Sequence, residues 1–134
     1  MSTHVTGAFT VKLTPQSSDE AEGSALGRMA IDKQFHGDLD ATSKGEMLSA
    51  MSAAVKGSAG YVAIERVTGT LQGRAGSFVL QHHATMTRGT PALSIIVVPD
   101  SGSGQLTGIA GTMSITITDG KHFYDFEYTL PPTP

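Results

Sequence analysis

Between Ala59 and Met86, apolar and polar side chains alternate along two arms, AGYVAIERVTGTL and RAGSFVLQHHATM, on either side of Gln72-Gly73. Period-two alternation rich in β-branched and aromatic residues predicts two antiparallel strands joined by a tight turn. With a two-residue turn the register follows by counting outward, because residues directly opposite share a face. Val67 then meets Phe78, Glu65 meets Leu80, Ala63 meets His82 and Tyr61 meets Ala84. That face is mostly apolar but holds Glu65, His82 and Tyr61. The reverse face carries Val62, Ile64, Arg66, Thr68, Ser77, Val79, Gln81 and His83.

The same alternation runs through most of the chain. Thr3 to Thr14 predicts a first strand with Val5, Gly7, Phe9, Val11 and Leu13 on one face, and Pro15 to Gly23 reads as a polar, acidic loop. Ser24 to Phe35 predicts a second strand with Met29, Ile31 and Phe35 on its apolar face. A three-residue loop at His36-Gly37-Asp38 would set Phe35 against Leu39 and Ile31 against Ser43. Leu39, Ala41, Ser43, Gly45 and Met47 continue as a strand. From Met47 to Lys56 the helical spacing of Met47, Leu48, Met51, Ala54 and Val55 keeps a short helix open as an alternative. Ala92 to Val98 predicts a compact strand, followed by a flexible loop from Asp100 to Gln105. Leu106 to Thr118 and Lys121 to Leu130 form a hairpin around Asp119-Gly120, a strong type I′ turn signal. Its inner face pairs Ile117 with His122, Ile115 with Tyr124, Met113 with Phe126, Gly111 with Tyr128 and Ile109 with Leu130. The proline-rich end, residues 131–134, is expected to be a disordered tail.

About eight strands linked by hairpins predict an all-β fold, an antiparallel up-and-down barrel forming a single domain over residues 1–134. An eight-stranded barrel has an interior that side chains fill or that holds one small ligand. Composition narrows the function classes. The net charge of -3 without a like-charge block points away from nucleic acid. No apolar run reaches membrane-span length and the N-terminus lacks a signal-peptide pattern, so a cytoplasmic location is expected and no membrane partner. The absence of cysteine excludes thiol catalysis and thiolate metal sites. Ser101 to Gly104 lacks the Lys-Ser/Thr of a phosphate loop, and no cofactor is read from the sequence.

The runs GYVAIERVTGTLQGRAGSFVLQH, VVPDSGSGQLTGIAG, HGDLDATSKGEML and DGKHFYDFEYTL resemble the bacterial family called domain of unknown function 3224. The likeness extends from about Met29 to Leu130. It implies a calycin-like eight-stranded barrel similar to plant allene oxide cyclase, and it implies no reaction. In those cyclases an interior glutamate in an apolar cavity shapes the cyclisation of an epoxide. Glu65 is its counterpart only by analogy of fold.

Glu65 and His82 fall on diagonal positions of neighbouring strands, within reach of each other. Such a pair could serve as general base and acid near neutral pH, and these are the candidate catalytic residues. Tyr61, Glu65, His82, His122, Tyr124 and Tyr128 are the candidate ligand-binding set. A site combining His82, His122 and Glu65 has no metal-binding motif behind it, and no metal is assigned. The leading expectation is a barrel binding a small, largely apolar molecule. The alternatives are an isomerase or cyclase using Glu65 and His82, and a filled barrel acting through its surface. Outward-facing Val62, Ile64, Val79 and Phe123 point to subunit contacts in a homo-oligomer. The sequence leaves open whether the protein is an enzyme.

Overall fold

The computed structural model describes residues 2–132. Its strands are β1 (Thr3–Ala21), β2 (Ser24–Phe35), β3 (Leu39–Ser52), β4 (Ala59–Leu71), β5 (Arg74–Thr87), β6 (Thr90–Val97), β7 (Ser103–Gly104), β8 (Ala110–Thr118) and β9 (Lys121–Thr129). Each of the first five strands pairs antiparallel with the next. From β6 the sheet continues through β8 and β9 back to β1. Since β4 pairs with both β3 and β5, these eight strands close into a barrel, and the two-residue β7 adds to β5. Closure removes the free edges that an open sheet would present. No helix forms among the described residues, so none is long and apolar enough to cross a membrane.

The period-two pattern decides which residues fill the interior. In β4 and β5 the register is the one counted from the turn, with Val67 opposite Phe78 and Ala63 opposite His82. The turn itself needs two left-handed residues, and Gln72 (φ 48°) and Gly73 (φ 82°) supply them. The β8–β9 hairpin likewise pairs Ile115 with Tyr124 and Met113 with Phe126, and its ladder ends at Ala110–Thr129.

Three features differ from the sequence-based expectations, and one alternative left open, strand or helix after Met47, is settled as strand. Residues Pro15 to Ala21 continue β1 instead of forming a loop, with a bulge between Pro15 and Ser17. This arm projects beyond the barrel with both faces exposed, so no buried face imposes an apolar alternation. Phe35 pairs with Ala41 and Ile31 with Gly45, two residues away from the expected register. The shift is even, so the inward set is unchanged. The stretch after Met47 stays extended to Ser52, because β3 remains paired on both sides with β2 and β4. Finally, the segment after Val97 is pinned to β5. Ser101 Oγ accepts from Val79 N (3.0 Å), Ser103 pairs with Ser77, and Gln105 bonds both backbone groups of Ala75. Pro131 and Pro132 carry no strand, and the rest of the expected tail lies outside the described residues.

The barrel has two unlike ends. The β2–β3 and β4–β5 turns and the connection from β6 to β8 lie at one end. Leu106 and Ile109 of that connection are fully buried there and join Leu71, Phe78, Val97, Phe126 and Tyr128 in a packed core. Phe78 and Phe126 stack at 5.6 Å, and Phe126 stacks on Tyr128 at 5.4 Å. At the other end, inward-facing Leu13, Met51, Met86, Leu93 and Ile117 remain exposed. There the longer strands β1–β5 overhang the short β8–β9 hairpin.

Gly45 is required where β3 crosses closest to β4. A Cβ at this position would overlap the Ile64 carbonyl oxygen and lie 2.6 Å from Glu65 Cα. Both are backbone atoms and cannot move aside without breaking the ladder. Gly45→Ala should therefore lower the unfolding free energy by about 2 kcal/mol or more, as measured by urea denaturation. A change within ~0.5 kcal/mol would contradict the close approach.

Candidate functional site

Between the packed end and the open end lies a cluster of deeply buried polar side chains. Glu65 projects inward from the middle of β4 and is 0% exposed. Its Oε1 accepts from Ser43 Oγ of β3 at 2.6 Å. Its Oε2 accepts from Lys33 Nζ of β2 at 2.7 Å and meets His82 Nε2 of β5 at 2.5 Å. The Lys33 side chain is only 7% exposed, and its ammonium lies 5.3 Å from the Phe9 ring centre and 5.8 Å from that of Phe35. Those ring faces add to the stabilisation of the buried cation.

Burial alone would raise the carboxyl pKa of Glu65, and this is the largest single influence on it. The opposing influences together exceed it: the bond to His82, the charge and bond of Lys33, and the Ser43 hydroxyl lower the pKa to about 2. Glu65 is therefore an ionised acceptor at any ordinary pH and not a neutral proton donor. It follows that the His82 nitrogen facing it, Nε2, carries a proton. The other ring nitrogen, Nδ1, is buried and has no hydrogen-bond partner among the described residues.

Above this cluster the interior opens into a cavity of about 290 Å³. Phe9, Leu13, Ile31, Met47, Ala63 and Ile117 form its apolar walls, with Lys33, Tyr61, His82 and His122 as the polar positions. The Tyr61 ring lies 6.3 Å from that of His82, and burial followed by the charge of Glu65 raises its phenol pKa. His122 packs against Phe9 at 5.2 Å. Met47 and Tyr61 also border an adjoining cleft of about 360 Å³. That cleft is lined chiefly by apolar groups, including Met29, Met51, Met86 and Leu93.

Of the expected set, Tyr61, His82 and His122 line the cavity and Glu65 is buried against His82, whereas Tyr124 and Tyr128 lie away from it. The Tyr124 hydroxyl donates to the His36 carbonyl (2.7 Å) and accepts from Leu39 N (3.2 Å), so it fastens the β2–β3 turn. Gly7 leaves room for that ring, since a Cβ there would lie 2.6 Å from the phenol oxygen. The Tyr128 hydroxyl donates to Gln72 Oε1 and fastens the β4–β5 turn. Both tyrosines share the inward face, but at the packed end. Lys33 and Ser43 were not among the expected site residues. Strand parity places both inside, Lys33 between Ile31 and Phe35, Ser43 between Ala41 and Gly45. A lysine on an inward face required an interior counter-charge, and Glu65 provides it. No group of three or more metal-ligating side chains assembles among the described residues.

These features define a class: an eight-stranded antiparallel barrel packed at one end, with a buried Lys-Glu-His cluster beneath an open apolar cavity. Residues 5–128 match the family described as "Protein of unknown function (DUF3224)", and the chain belongs to that family. It is similar to the crystal structure of a protein with unknown function from the same family in Shewanella oneidensis MR-1. The two are 58% identical with a TM-score of 0.94, over 99% of this chain and 100% of that one. No curated protein matches the chain.

Removing one member of the cluster strands the others. Glu65→Gln leaves the Lys33 ammonium buried without a counter-charge and should cost about 3–5 kcal/mol at pH 7 by chemical denaturation. The double variant Glu65→Leu/Lys33→Met should recover a large part of that loss. The pH dependence follows from the lowered pKa of Glu65. The stabilisation is complete above the ordinary value of 4.5 and is lost as the pH falls towards about 2. Between pH 6 and pH 3 the wild type should lose about 2 kcal/mol more stability than the double variant. Parallel pH profiles would contradict the assignment.

Proposed function

We propose that this protein binds a small, largely apolar molecule in the open half of its barrel. The supporting observation is the contrast between the two halves of the interior. One is filled by aromatic and aliphatic side chains, while the other has apolar walls around a cavity and an adjoining methionine-lined cleft. Methionines adapt to ligands of irregular shape, and a few polar groups among apolar walls are the usual make-up of a small-molecule site. A barrel that worked only through its outer surface would have no need of this unfilled half.

A second reading is an isomerase or cyclase in which His82 is the base and Glu65 its positioning residue. It is favoured by the Glu65–His82 geometry, which fixes one imidazole nitrogen and leaves the other free. A histidine oriented by a carboxylate in this way is a recurring arrangement for proton transfer.

N-Phenyl-1-naphthylamine, an uncharged apolar fluorophore, tests the binding reading. Its emission should rise saturably with the wild-type protein. Met47→Trp, which places an indole where cavity and cleft meet, should abolish the rise while the thermal transition stays cooperative. An unchanged response in that variant would locate the dye elsewhere and contradict the proposal.

A further inference from the structure

The hydrogen-bonding state of His82 restricts what the cavity accepts. We infer that the ligand is an elongated amphiphile with an uncharged hydrogen-bond donor, an alcohol or phenol, whose hydroxyl donates to His82 Nδ1 while its apolar part extends past Tyr61 into the methionine-lined cleft. This rests on the binding role proposed above and adds the chemistry of the ligand's head.

Lys33 and Glu65 form a closed ion pair at 2.7 Å, so the cluster is already neutral without a charge on His82. Glu65 Oε2 accepts only, so the imidazole proton sits on Nε2 at 2.5 Å from it. In the neutral ring Nδ1 is then a bare lone pair. Only 3% of His82 is exposed, and this nitrogen is the one buried side-chain polar atom without a partner among the described residues. A buried acceptor without a donor carries a desolvation cost that a suitable group can relieve. A hydroxyl meets that need without adding charge. A carboxylate offers no proton and would bring an unbalanced negative charge next to Glu65. An ether of the same length offers no donor.

Shape supplies the second half. Met47 and Tyr61 border both the His82 cavity and the adjoining cleft, so the two spaces meet at these side chains. A molecule anchored at His82 has a continuous apolar path from the barrel interior to Met51, Met86 and Leu93 at the rim. An extended chain or fused-ring body fits this path better than a compact polar metabolite.

Displacement of N-phenyl-1-naphthylamine at pH 8 by octan-1-ol, 1-methoxyoctane and octanoate separates the possibilities. Octan-1-ol should displace the dye at about five- to tenfold lower concentration than either of the others, the worth of one neutral hydrogen bond. His82→Phe should erase the difference between alcohol and ether while both still displace. Because that variant also removes a donor from Glu65, the wild-type protein provides an independent readout. In 15N NMR the acceptor-type Nδ1 resonance should move to lower frequency on adding octan-1-ol and stay in place on adding the ether. Equal displacement by alcohol and ether, or an unmoved Nδ1 resonance with octan-1-ol bound, overturns the donor-head inference and leaves binding intact. A dye that never binds, with no amphiphile perturbing the His82 resonances, overturns both.

Discussion

One buried carboxylate ties four consecutive strands together. Glu65 projects from β4, and its two oxygens take hydrogen bonds from Lys33 on β2, Ser43 on β3 and His82 on β5. An ion removed from water this completely is tolerated only when its lone pairs are met and its charge is balanced. Each of those conditions fixes a residue on a neighbouring strand, so the cluster opposes any slip in register. A one-residue slip would turn Lys33 or His82 outwards and leave the carboxylate unpaired. Gly45 belongs to the same constraint, because it lets β3 approach the backbone of Glu65.

The cluster also divides the barrel. Below it, aromatic stacking and the inserted residues Leu106 and Ile109 leave little free space, and two tyrosine hydroxyls fasten the turns. Above it, the overhanging strands carry inward-facing leucine, isoleucine and methionine side chains that nothing covers. The buried core therefore lies mainly in the packed half, and the other half is left open. Structural and site roles meet in His82. One of its nitrogens completes the Glu65 shell, and the other is buried without a partner among the described residues.

Much of this was legible in the sequence, for a simple reason. Wherever one face of a strand is buried, period-two alternation reports it, and tight turns then set the register. The β4–β5 and β8–β9 hairpins follow that logic pair by pair. It fails where no face is buried, so the exposed arm from Pro15 to Ala21 read as a loop. It is ambiguous where small residues and methionines satisfy helical and strand spacing alike, as after Met47. Parity gives the face but not the level along the barrel axis. For that reason parity groups Tyr124 and Tyr128 with the site residues, although their hydroxyls lie at the packed end. Lys33 is open to the same counting, since parity puts it on the inward face of β2 between Ile31 and Phe35.

The most direct test of this account is the titration of the Glu65 carboxyl itself, followed by 13C NMR of selectively labelled glutamate. The account predicts that its Cδ resonance keeps the carboxylate position through the ordinary glutamate range and moves only as the pH approaches about 2 or the fold is lost. A midpoint at or above 4.5 in the folded protein would show a carboxyl not held by Lys33 and His82 and would contradict it.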